Sequence, residues 1–204
     1  ERDSRPHDTH RVRFLESIEG LPKEIEICIV ATTADIRFSI SESLLGSRSI
    51  HYMILEKVVF QRKRDFSIFN RSLKTLSVSA WVNCPMRVIP PYAKIPMELD
   101  PRKQVTMTVT GTNWGLACNS IHFMDFFRFL TGKGLLQIES SLTAPVPTVE
   151  RGHFFEFYGE VTGFNDKHDT LEMYCTKDLQ ETSKTFEIDI QNGNSFHKTF
   201  IFRP

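Results

Sequence analysis

Ile25 to Ala31 reads IEICIVA, a nearly continuous apolar run of strand length, and Thr32-Thr33 follow it directly. A helix-like stretch comes next, Ile36–Leu45, ending at Gly46. His51 to Leu55 (HYMIL) is a second apolar run and leads into Glu56-Lys57. Phe66–Leu73 sets Phe66, Ile68, Phe69 and Leu73 among charges and reads as a second helix; Val78 to Val82 (VSAWV) reads as a third strand. Short apolar runs alternating with helices predict βαβ units and a parallel sheet buried on both faces. This pattern fills roughly residues 14–85.

Beyond it the pattern changes. Pro85, Pro90, Pro91 and Pro96 punctuate a linker and a short helix. Val105, Met107 and Val109 then alternate with Thr106, Thr108 and Thr110, as a half-buried strand requires. One helix follows, roughly Asn119 to Leu130, and then strand candidates at roughly 134–142, 154–163, 169–176, 184–190 and 196–202. Asn165-Asp166 and Asn192-Gly193-Asn194 mark turns. Strands running on after a single helix predict an α+β domain. The expected class is α/β: a partial Rossmann-type doubly wound parallel sheet over residues 1–90, followed over 91–204 by an α+β domain with a predominantly antiparallel sheet.

Composition bounds the function. The 204 residues carry 25 basic and 25 acidic side chains, a net charge of 25 − 25 = 0, so no basic field draws nucleic acid. No apolar run approaches the roughly 20 residues that cross a bilayer. Residues 1–14, ERDSRPHDTHRVRF, are too polar for a secretory signal, which points to the cytoplasm. Cys28, Cys84, Cys118 and Cys175 form no C-x-x-C pair, which excludes a zinc ribbon or thioredoxin motif; they are expected as free thiols, and no metal site is assigned.

The helix near residue 119 has two faces. Phe123, Phe126, Phe127 and Leu130 fall at i, i+3, i+4, i+7, a core stripe, while Cys118, His122 and Asp125 lie on a different one. That second row either faces a ligand or is a satisfied histidine beside an acidic neighbour.

Three signals fall in order: a buried strand ending in Ala31-Thr32-Thr33, a strand ending in Leu55-Glu56-Lys57, and a helix carrying His122-x-x-Asp125. The set resembles the glucose-fructose oxidoreductase and inositol dehydrogenase-like (Gfo/Idh/MocA-type) family of NAD(P)-dependent enzymes. The resemblance runs from about Val12 onward, and GTNWGLACNSIHFMDFFRFLTG (111–132) is similar to a branch near surface-polysaccharide biosynthesis. It departs at Val58, where the family has proline, and at Cys118, where it commonly has Asp. The family's G-x-G-x-x-G turn has no counterpart among the ten glycines. The resemblance therefore implies the later part of a longer enzyme, with roughly 70–100 residues before Glu1. By itself the 204-residue chain is then expected not to hold NAD or NADP tightly, and to leave its first strand as an unpaired apolar edge.

The resemblance implies a hydride transfer between a nicotinamide cofactor, NAD or NADP, and a sugar, sugar derivative or nucleotide sugar. His122 is the expected base, since an unperturbed histidine titrates near pH 6.5. Lys57 either supplies positive potential to the developing alkoxide or is an exposed lysine past a strand. Asp125 orients His122, binds a substrate hydroxyl, or is a surface carboxylate. Ala31, Thr32, Thr33, Glu56, Lys57, Asn83 and Arg87 are the candidate cofactor residues, because carboxyl ends of parallel strands line ligand crevices. Lys57 and His122 are expected to face one crevice. Asn113, Trp114 and Asn119 are candidate substrate contacts, Trp114 being equally suited to core packing. Arg62-Lys63-Arg64 reads as a solvated turn. Family members associate through the open face of the second sheet, which implies a homo-oligomer; exposed Phe154, Phe157 or Ile201 would suit that contact. The alternative is a catalytically silent relative that binds a sugar or a partner.

Overall fold

The structure is a computed structural model that describes residues 12–147, 154–178 and 184–202; the polar residues 1–11 lie outside it. The chain divides into two compact units, Glu1–Asn83 and Cys84–Pro204.

The first unit is a three-stranded parallel sheet of β1 (Glu24–Val30), β2 (Ser49–Leu55) and β3 (Ser79–Val82), in the order β1-β2-β3. Ile29 lies beside Ile54, and Ile54 beside Trp81. α1 (Ala34–Ser47) and α2 (Lys63–Thr75) make the crossovers and pack on each other. Both helices overrun their expected limits, since Gly46 and Lys63-Arg64 continue the helical turn. Arg62, Lys63 and Arg64 are exposed. The core joins Val30, Met53 and Leu55 to Leu44, Leu45 and Phe69. Its hub is Phe60, whose ring meets Phe38, Phe66 and Phe69 edge-on at 5.4, 5.2 and 5.1 Å.

The sheet is not buried on both faces, as the apolar runs had suggested. Ile27, Ile29 and Trp81 are 57%, 65% and 55% exposed, and Tyr52, packed on Trp81, is exposed too. Strands 1 to 3 bury only the face that carries Cys28, Val30, Met53 and Leu55.

The second unit opens with a 3₁₀ turn, Pro85–Val88, and two single helical turns, α3 (Pro90–Ala93) and α4 (Ile95–Glu98), where prolines at the helix starts lose no needed hydrogen bond. Then follow β4 (Val105–Thr112), α5 (Leu116–Thr131), β5 (Gln137–Leu142), β8 (Gly159–Phe164), β9 (Thr170–Thr176), β10 (Thr185–Asn192) and β11 (Phe196–Phe202). A two-residue pairing of β6 (Val146–Pro147) with β7 (Phe155–Glu156) falls between β5 and β8. The six-stranded sheet runs β11-β10-β4-β9-β8-β5; β4 and β9 are parallel and every other pair antiparallel.

α5 packs against β4 and β9. Met107, Val109, Met173, Ile188, Ile190, Phe126 and Phe127 form the heart of this core. The opposite face is built of in-register rows such as Glu139, Thr162, Glu172, Thr108, Asp189 and Thr199. It is polar, with Ile201 60% exposed on it; Phe154 and Phe157, outside the strands of this sheet, are half-buried. The predicted turns are present; buried Asn192 accepts from Asp100 N–H at 2.7 Å, and Asp169 accepts from Val105 N–H at 2.8 Å.

Candidate functional site

In the first unit the candidates gather where the three parallel strands end. The Glu56 N–H donates to Val30 O at 3.1 Å, and the Asn83 N–H to Leu55 O at 2.8 Å, so each strand end is tied to its neighbour. The Asn83 amide donates to Glu56 Oε1 at 2.5 Å, which joins two sequence-predicted residues directly. Thr32 Oγ1, at the end of β1, is a buried hydroxyl with no hydrogen-bond partner. Lys57 is half-buried, while Ala31, Thr33 and Asn83 are exposed. An orphaned hydroxyl at carboxyl ends of parallel strands suits the carboxamide and ribose end of a nicotinamide nucleotide. Thr32, Glu56, Lys57 and Asn83 are the residues that would hold it.

Arg37 belongs to this cluster, and the sequence reading passed over it. It is only 2% exposed, and its guanidinium donates to the carbonyls of Thr32, Val58 and Val59, the last at 3.2 Å. Burial pulls its pKa down, opposed by the charges of Glu56 and Asp35. The signal lay in α1, whose buried positions are Arg37, Ser41, Leu44 and Leu45: the stripe begins with a cation where an apolar residue is expected.

In the second unit α5 presents its residues as the two stripes require. Phe123, Phe126, Phe127 and Leu130 are buried, while Cys118, His122 and Asp125 are half-buried on the other row. Asp125 does not stand alone. Arg87 grips it in a two-pronged ion pair, Nε to Oδ2 at 2.9 Å and Nη2 to Oδ1, and lies 5.6 Å from the centre of the Phe129 ring. Arg87, expected at a cofactor, here ties the turn Pro85–Val88 to α5.

The three substrate candidates lie just before and within the first turns of α5, each with a main-chain partner. Trp114 is 1% exposed, its Nε1 donates to Tyr174 O at 2.9 Å, and its ring meets Phe123 edge-on, so it offers no face for a sugar to stack on. The Asn113 side chain donates to Asp178 O at 2.9 Å and accepts from Asp178 N–H at 3.2 Å. The Asn119 amide donates to Trp114 O at 2.5 Å. Asn113 thus joins the end of β4 to the segment after β9, and Asn119 holds the carbonyl of Trp114 just before α5. Glu156, unremarked in the sequence, accepts from Ala117 N–H at 2.8 Å in the first turn of α5. The four cysteines form no disulfide with one another, and burial raises the pKa of Cys28 and Cys175. No helix among the described residues is long and apolar enough to cross a membrane.

A parallel α/β unit followed by a mixed sheet with one long helix on it is the partial Rossmann plus α+β architecture expected from the sequence. It is the fold of the Gfo/Idh/MocA-type dehydrogenases, as solved structures show. The chain is similar to a dehydrogenase (MviM) from Clostridium difficile, at 13% identity and TM-score 0.65, over 94% of this chain and 62% of that one. It is similar to GenD2 from gentamicin A biosynthesis, solved in complex with NAD, at 11% identity and TM-score 0.69, over 86% of this chain and 54% of that one. It is also similar to myo-inositol 2-dehydrogenase from Lactobacillus plantarum, at 11% identity and TM-score 0.67, over 86% and 57%. The chain thus spans less than two thirds of each of these three. No family model matches the chain, and no curated protein matches its sequence.

Proposed function

We propose that the protein is a nicotinamide-dependent oxidoreductase acting on a hydroxyl of a sugar, sugar derivative or nucleotide sugar, in the cytoplasm and in the making of a surface polysaccharide. The observation that carries this reading is the strand-end cluster: Thr32 with its orphaned hydroxyl, Glu56 bonded to Asn83, and Lys57 beside them. Neighbours of the same fold support it, since one was solved with NAD and another is a myo-inositol 2-dehydrogenase.

The cofactor, when bound, accepts or returns the hydride. The protein's own part is the proton and the charge. His122, half-buried and off the aromatic stripe of α5, takes the hydroxyl proton as the carbon–hydrogen bond breaks and a carbonyl forms. Lys57 supplies positive potential to the oxygen while negative charge develops on it. Asp125, held by Arg87, fixes the α5 surface one turn from His122.

The test uses the whole protein. Titration with NAD⁺ and with NADP⁺ by calorimetry is expected to show saturable binding of one of them, and myo-inositol with that cofactor gives a first activity assay. His122→Ala is expected to lower kcat by about 10²–10⁴-fold, the usual loss of a general base. Binding of neither nucleotide overturns the reading in favour of a silent sugar- or partner-binding relative. Unchanged turnover removes His122 from the chemistry.

A further inference from the structure

We propose that Arg37 is the positioning residue for Lys57: its buried guanidinium pins the main chain immediately beyond that lysine to the end of β1. The inference rests on the role assigned to Lys57 above. Three carbonyls receive the fork, Thr32 O on one side and Val58 O and Val59 O on the other. The Glu56 N–H is bonded to Val30 O at 3.1 Å, so the main chain is held on both sides of Lys57. Lys57 therefore projects from a fixed base although it lies past the end of its strand.

The placement is costly, and the cost points to a purpose. Arg37 is 2% exposed, and its Nε is buried with no hydrogen-bond partner. A buried charge with an unsatisfied donor destabilises, and an apolar residue of similar volume is often better for stability alone. The guanidinium directs its hydrogen bonds to main-chain carbonyls around the strand ends. A planar fork holds two directions at once, which a lysine ammonium does not. Small displacements of a group that acts on a reacting oxygen are expensive in rate, which is why its base must be rigid.

The experiment compares the full chain with Arg37→Met and Arg37→Lys by hydrogen–deuterium exchange and by competitive acetylation of lysines with acetic anhydride across pH. Expected is exchange about five- to tenfold faster over residues 57–60, as the segment loosens on losing one or two bonds from the Arg37 side chain to its carbonyls, while β2 keeps its protection. The acetylation profile of Lys57 should shift against that of Lys74, and the Lys variant should fall between wild type and Met. Unchanged exchange at 57–60 in a folded variant overturns the proposal, as does a uniform rise over the whole first unit with Lys57 reacting like Lys74. Failure of the functional reading is separate, because it shows as unchanged turnover in Lys57→Ala while the exchange result stands or falls independently.

Discussion

Asp189 shows how a single side chain couples this fold to pH. Its carboxylate accepts hydrogen bonds from Thr199 Oγ1 and Gln191 Nε2 at 2.9 Å and contacts His197 Nε2 at 2.5 Å, bridging β10 and β11. Burial works to raise its pKa, but the bonds from His197, Gln191 and Thr199 outweigh it and hold the pKa below the usual value. A carboxylate whose folded pKa is depressed adds stability above the unfolded value, near 3.9. That stability is lost as pH falls through the lower folded value. Asp189→Asn is expected to cost about 1 kcal/mol at neutral pH and to flatten the fall in Tm on acidification towards about pH 3. Thermal melts across that range check both; parallel curves would dissociate Asp189 from the acid response.

β4 and β10 meet at a position that only glycine occupies without strain. A Cβ on Gly111 would lie 2.2 Å from Thr185 O and 2.6 Å from Phe186 Cα, both main-chain atoms that cannot step aside. Gly111→Ala therefore has to push the two strands apart. Behind them, Phe186 stacks on Phe202 at 4.5 Å and meets Phe123 of α5 at 5.5 Å, so the shift would spread into the aromatic core. The expected loss is about 1–3 kcal/mol, the range of overpacking, read as a lower urea midpoint. A midpoint equal to wild type would show that the sheet relaxes freely there. The alternation of Val105, Met107 and Val109 announced this strand, but the close approach at Gly111 comes from β10, more than seventy residues on in sequence.

Across the whole molecule two surfaces compete as contact sites. In the first unit, β1 pairs only with β2 among the described residues, and exposed Ile27 and Ile29 lie on it. Neither Pro nor Lys interrupts its run, the usual defences of an edge strand. The polar face of the larger sheet carries Glu139, Glu160, Glu172, Glu187 and Asp189, and laying two copies together there would desolvate carboxylates against one another. The β1 edge is thus the better-founded site of self-association. The 204-residue chain is expected to scatter light increasingly with concentration, and Ile29→Lys to suppress it. A monomer at all concentrations would contradict this.

The sequence determined the elements because their signals are local. Apolar runs of strand length, helical spacing on α5 and Asn-Gly turns are set by neighbours a few residues away, and each strand and the long helix lie close to where those signals put them. The off-core row of Cys118, His122 and Asp125 was legible for the same reason. Tertiary structure alone decided how those residues are used. Trp114 became core because Tyr174, sixty residues on, supplies its hydrogen-bond partner. Arg87 became the clasp of Asp125 because the turn carrying it packs on α5. Arg37 turned inward because the carbonyls it needs lie on loops brought together only when β1 and β2 pair. Hydrogen bonds between residues distant in sequence depend on geometry that no local pattern encodes, and they are what converts candidate residues into a site.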